Sequence, residues 1–224
     1  MKPTPSGALS RRSVFEIAIC LLLAFAATVP SSAAGEAVIT YRKIFKGSVP
    51  ESVEIKLSQS GKCTFDIRQL SEDPAPAAFE IGQPIRDKIF SLAAELGNFK
   101  NLDLDVHRRI ANLGEKTFRY EKDGEAHEVT FNYTVNTAAS QLLAIFEGLA
   151  RQQDHLQTLQ RAMKYDRLGV NDALLDLDGD IDNKALPEPE RLLPVLEQIG
   201  NDDHIMDMAR QRARAIAAKI RDGK

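Results

Sequence analysis

Across residues 37–70 the apolar side chains recur at every second position, the period of strands that bury one face and solvate the other. Ile39, Tyr41 and Phe45 mark a first strand. Val53, Ile55 and Leu57 alternate with Glu54, Lys56 and Ser58 in a second, and Cys63, Phe65 and Ile67 alternate with Thr64, Asp66 and Arg68 in a third. Turns are expected at residues 47–50 and 60–61, where glycine, proline and serine gather. Residues 70–83 hold Glu72, Asp73, Pro74 and Pro76, follow neither period and are expected to form a loop. The period then lengthens. Pro84 suits a first helical position, Ile85, Ile89, Leu92 and Leu96 fall on one helical stripe, and Gly97 is placed to end it.

Period two returns in residues 115–134, where Phe118 and Tyr120 lead through Asp123-Gly124 into Val129, Phe131 and Tyr133. Thr117, Arg119, Thr130, Asn132 and Thr134 take the alternate positions, so this hairpin also has one solvated face. Residues 138–163 predict a long helix with Leu142, Ile145, Phe146, Leu149, Leu156, Leu159 and Met163 on one side. Leu142, Leu149, Leu156 and Met163 recur at sevens, as in a coiled coil. Fewer than four heptads and Gln152 at a seam position favour packing on the sheet and on the later helices instead. From Val170 onward the chain reads as helical. Leu192, Val195, Leu196 and Ile199 form one stripe, Gly200 and Asn201 interrupt it, and Ile205, Ala209, Ala213, Ile216 and Ile220 form the next, which predicts two antiparallel helices. The expected architecture is α+β: a mostly antiparallel five-strand sheet with two helices on one face in residues 35–163, then a small C-terminal helical subdomain in residues 164–224.

The amino terminus follows a different logic. Lys2, Arg11 and Arg12 precede a 13-residue apolar run from Ile17 to Val29, and Ser31, Ser32, Ala33 and Ala34 follow. That order is a secretory signal peptide, expected at residues 1–34 with the cut after Ala34, or after Ala33 or Ala37. The apolar run falls short of the ~20 residues that span a bilayer, and no later stretch approaches that length, so no transmembrane span is expected in the mature chain. Ser10, Arg11, Arg12, Ser13, Val14 and Phe15 resemble a twin-arginine signal. Glu16 stands where that signal carries a lysine, which favours ordinary secretion. Ile19 before Cys20 does not fit a lipoprotein cleavage site.

Composition narrows the class. In 224 residues, 43% are hydrophobic and 27% charged, values that suit a core-forming globular protein. Losing Lys2, Arg11, Arg12 and Glu16 removes three positive charges and one negative, and takes the net charge from −3 to −5. Without a basic field to neutralise phosphates, nucleic acid is not expected as a partner. Cys63 becomes the one cysteine of the mature chain, so no intramolecular disulfide can form.

The segments from Ala111 to Thr134 and from Ser140 to Leu156 resemble an uncharacterised family of exported bacterial proteins. The resemblance spans most of the mature chain, implies the exported address and the α+β layout, and carries no known catalytic residues. The C-terminal helix pair, with Pro194 in its first helix and Arg210, Arg212 and Arg214 in its second, resembles a single HEAT-type hairpin. A solenoid needs at least about three such units.

Two stretches hold candidate metal ligands. Asp176, Asp178, Asp180 and Asp182 offer the carboxylate oxygens of a calcium loop, but Ile181 stands at the sixth position where glycine is needed and Pro187 at the twelfth where glutamate is needed. A solvated acidic stretch of a short helix is favoured. In an extended conformation Asp103, Asp105 and His107 would share one face, yet no other His or Cys lies near in sequence and Arg108 and Arg109 can neutralise both carboxylates. Cys63 shares an inward phase with Phe65 and Ile67, as a small buried hydrophobe would. His107, His127, His155 and His204 match no metalloprotease spacing. The expected function is a non-catalytic module of the periplasm or the extracellular medium that binds another envelope protein through its polar sheet face or its helical hairpin, with no cofactor. The alternative is a metal-assisted hydrolase built on Asp103, Asp105 and His107 with the acidic run.

Overall fold

A computed structural model of the chain describes Met1 and residues 35–223. The expected signal peptide and its cleavage site lie, Met1 apart, outside the described residues. Six strands form one antiparallel sheet: β1 (Val38–Ile44), β2 (Ser52–Ser58), β3 (Lys62–Arg68), β4 (Ala77–Glu80), β5 (Glu115–Lys122) and β6 (Glu125–Phe131), in the order β4-β3-β2-β1-β5-β6. The architecture is α+β as expected, with one strand more. Residues 77–80, expected in a loop, pair with β3. Ala77, Ala78, Phe79 and Glu80 hold one large apolar residue and follow two prolines, so no alternation marks them. As an edge strand β4 needs only one neighbour, and Cys63 opposite Phe79 sets its register.

Register decides which side chains form the core. Ile39 lies between Leu57 and Tyr120, and Tyr41 between Ile55 and Phe118, so the inward phases of neighbouring strands coincide. Asp123 and Gly124, both at positive φ, close the β5–β6 hairpin as a two-residue turn. β6 ends at Phe131, and Tyr133, expected on the inner face, is exposed beyond the last paired residue.

Two helices cover the inner face: α1 (Gln83–Glu95) and the 29-residue α2 (Thr137–Tyr165). Gly97 turns left-handed after α1, at φ +63°, and Asn98 and Phe99 follow at +51° and +65°. For Phe99 that conformation costs about 1–2 kcal/mol. It places a fully buried ring 5.5 Å from Phe118, and aromatic burial offsets the cost. Phe118 also meets Tyr41, Phe131 and Phe146, at 5.8, 5.4 and 6.1 Å between ring centres.

Asn136 caps α2 by accepting from the Ala139 amide at 3.0 Å. The helix then serves two cores. Ala138, Ala139, Leu142, Phe146 and Leu149 face the sheet. Leu159 and Ala162, with Leu156 and Met163 beside them, pack against α3 (Val170–Asp182), α4 (Leu193–Asn201) and α5 (Asp207–Arg221). The seven-residue spacing is therefore one stripe meeting two cores in turn. Gln152 is buried at the change-over, where its Oε1 accepts from the Glu188 amide at 3.1 Å. Glu188, itself buried, accepts from the Gly82 amide at 2.6 Å and from Arg191 Nε at 2.7 Å, and so ties the start of α1 to the tail. Within the tail, Arg214 donates to the Gly200 carbonyl across the antiparallel α4–α5 pair. Arg212 donates to Asn171 and Lys219 to Asp178, both at an offset of 41 residues, so α3 runs parallel to α5.

Gly148 marks the closest approach on α2: a Cβ there would lie 2.7 Å from the Ala185 carbonyl oxygen and 2.8 Å from Pro187 Cδ. Backbone cannot yield cheaply, so Gly148→Ala is expected to lose about 1–3 kcal/mol in urea unfolding. Gly179→Ala in α3, where a Cβ meets open space, is expected to gain about 0.5–1 kcal/mol from helix propensity in the same assay.

Candidate functional site

The loop before β5 brings together only part of the expected triad. His107 turns left-handed at φ +49°, which breaks the extended run, and its Nε2 lies 2.7 Å from Asp103 Oδ2 on the surface. The Asp105 amide donates to Asp103 Oδ1 at 3.1 Å, while the Asp105 residue lines a separate groove with Lys46 and Glu115. His107 meets Asp103 in place of the arginines expected there, and among the described residues no ion pair joins Arg108 or Arg109 to Asp103 or Asp105.

The acidic run lies on α3, where residues two apart point to opposite sides. Asp178 and Asp182, one turn apart, both receive Lys219 Nζ, at 2.5 and 2.6 Å. Asp180 faces α2, with Oδ2 2.7 Å from His155 Nε2 and Oδ1 3.5 Å from Arg151. Asp176 is exposed. His127 pairs with Glu125 and His204 with Asp202, so each of the four histidines meets a different carboxylate. Among the described residues no group of three or more His, Cys, Asp and Glu is placed to hold a metal ion. Cys63 is buried in the core as expected. Burial, then the Glu188 carboxylate, push its thiol up to about 12.

The outer sheet face is uncovered and internally paired. Arg119 bridges Glu121 and Glu128 at 2.8 and 3.3 Å, Lys56 meets Glu54 at 3.0 Å, and the Thr117 and Thr130 hydroxyls lie 3.0 Å apart. The free end of the helical tail differs. Tyr165 is 73% exposed, Leu168 74%, Met206 39% and Met208 55%. Arg212, one turn after Met208, reaches Asn171, three residues after Leu168, which sets the start of α5 beside the turn that follows α2.

Beside the aromatic cluster two inward strand positions carry charge, while Lys122 and Glu125 keep the same phase at the exposed hairpin end. Lys43 on β1 and Lys116 on β5 keep the phase of Tyr41 and Phe118, and register sets them directly opposite each other. Like charges so placed repel. Lys116 is buried and its Nζ donates to the carbonyls of Leu113, Gly114 and Asn132 at 3.1, 3.0 and 2.8 Å, which uses all three protons. Burial first, and then the Lys43 charge, lower its pKa against the opposing pull of Glu147. Lys43 Nζ donates to Glu147 Oε1 at 3.2 Å. Tyr41 Oη is buried two residues before Lys43, and burial, then the neighbouring Glu147 carboxylate, hold its phenol above the ordinary value. An open cleft of about 430 Å³ lies here between the sheet and α2, lined by both lysines, Glu147, Asn132, Thr134 and Ser140 among others. Sequence reasoning passed over these lysines. Their signal was the strand phase itself, which sets Lys43 and Lys116 at inward positions, as it does Lys122 at the exposed hairpin end.

Two measurements follow from the site chemistry. The hydrogen bond that His107 donates to Asp103 raises the His107 pKa and lowers the Asp103 pKa. The imidazole's part in the pair is present below its ordinary value and lost as pH rises through the raised one. The carboxylate's part is lost as pH falls through its lowered one, so the pair holds in the window between. Titration of His107 by NMR is expected to show the raised value, and Asp103→Asn to return it toward the ordinary imidazole range. Cys63 is expected to resist alkylation by iodoacetamide at neutral pH in the folded chain and to react once urea unfolds it, because only the thiolate is nucleophilic.

No protein-family model matches the chain, and a comparison with curated proteins finds no relative.

Proposed function

We propose that the mature chain is an exported envelope protein, resident in the periplasm or released from the cell, that binds another envelope protein without catalysing a reaction. The partner meets the free end of the helical tail. The observation that carries this reading is the exposure of Tyr165, Leu168, Met206 and Met208 at that end. Burying such side chains is the main favourable term in protein association, and tyrosine and methionine are enriched where it occurs. Asp166, Arg167, Asp202 and Asp203 stand close to them in sequence and supply charge. The outer sheet face has less to offer a partner, because Arg119 and Lys56 already meet glutamates along and across the strands and Thr117 meets Thr130. The signal-like amino terminus supports the address. Among the described residues no helix is long and apolar enough to cross a membrane.

Crosslinking and pull-down of the mature chain from its own cell envelope test this reading. The double variant Tyr165→Ser, Leu168→Ser is expected to lose the captured protein while its stability stays within about 0.5 kcal/mol of the parent, as is usual for surface changes. Arg119→Ala on the outer sheet face is expected to retain it. Capture that survives the double variant and fails with Arg119→Ala would place the interface on the sheet and overturn the assignment.

A further inference from the structure

The chemistry of the cleft between the sheet and α2 goes beyond protein binding. We propose that it binds a small anion bearing a carboxylate or phosphate group, with Lys43 as the ammonium ligand. Its lining holds two ammonium groups and one carboxylate, in a chain whose net charge is −3. Carbonyl dipoles cap Lys116 and one carboxylate meets Lys43, so of the two opposed ammonium charges only one has an anionic partner, and a second anion would balance the other.

Each lining group has a defined part. Lys116, its three protons already given to carbonyls, contributes field and no direct bond. Lys43 spends one proton on Glu147 and keeps two for a ligand. Thr134 Oγ1 accepts from the Asn136 amide at 3.2 Å, which leaves its hydroxyl proton free to donate. The first turn of α2 carries no acidic residue, so the positive end of a 29-residue helix adds to the field beside Ser140. A volume of about 430 Å³ accommodates a small organic acid or a phosphate monoester.

Isothermal titration of the mature chain with succinate, and separately with inorganic phosphate, at an ionic strength matched with sodium chloride, tests the proposal. The arm that saturates tells carboxylate from phosphate. Lys43→Gln is expected to weaken that binding about tenfold or more, and Glu147→Gln to tighten it, because the internal competitor for Lys43 is gone. The proposal is overturned if neither anion saturates below about 10 mM, or if Lys43→Gln binds as tightly as the parent. Should Lys43→Gln fail to fold, Glu147→Gln decides by itself, since unchanged or weaker affinity there also overturns it.

Discussion

Helix α2 has to bury apolar residues along two successive stretches of its length, and the folded chain is arranged around that requirement. Its first half closes the inner face of the sheet and its second half completes the helical tail, so neither core is finished without it. The change-over needs polar groups, because the stripe of one core stops before the other begins. Gln152 and Glu188 fill that gap with bonds to the Glu188 amide, the Gly82 amide and Arg191, so buried polar atoms there are paired. Gly148 belongs to the same constraint, since only a residue without a side chain lets residues 185–187 pass so near the helix.

The sheet states the opposite rule on its two faces. Inside, Phe118 gathers four other aromatic rings into direct contact, and even a left-handed Phe99 is tolerated to complete the cluster. Outside, charges and hydroxyls satisfy one another along and across the strands at little cost in water. Lys43 and Lys116 break the inner rule where the apolar core gives way to an open cleft. Their presence at inward positions is compatible with folding because carbonyls cap one and a carboxylate meets the other.

These features divide the molecule by the kind of contact each region can make. The helical end offers apolar side chains in water, which suits a protein surface. The cleft offers unbalanced positive charge with hydroxyl groups, which suits a small anion. The candidate ligands on the loop before β5 and on α3 are instead consumed in separate pairs with His107, Lys219 and His155.

The sequence by itself determined the elements whose physics is local. Alternation fixed five strands and their inward sides, Asp123-Gly124 the hairpin turn, Pro84 and Gly97 the ends of α1, and the apolar stripes the later helices. Burial of Cys63 followed from the same phase. Tertiary structure alone decided what depends on a neighbour. β4 exists because β3 offers it an edge, since Ala77, Ala78, Phe79 and Glu80 carry no pattern of their own. Asp103 and His107 met without Asp105 because one left-handed residue redirected the loop. The acidic run dispersed because helical geometry turns residues two apart to opposite sides. The two lysines became a pair only through the β1–β5 register, a non-local hydrogen-bonding pattern that no window of sequence contains.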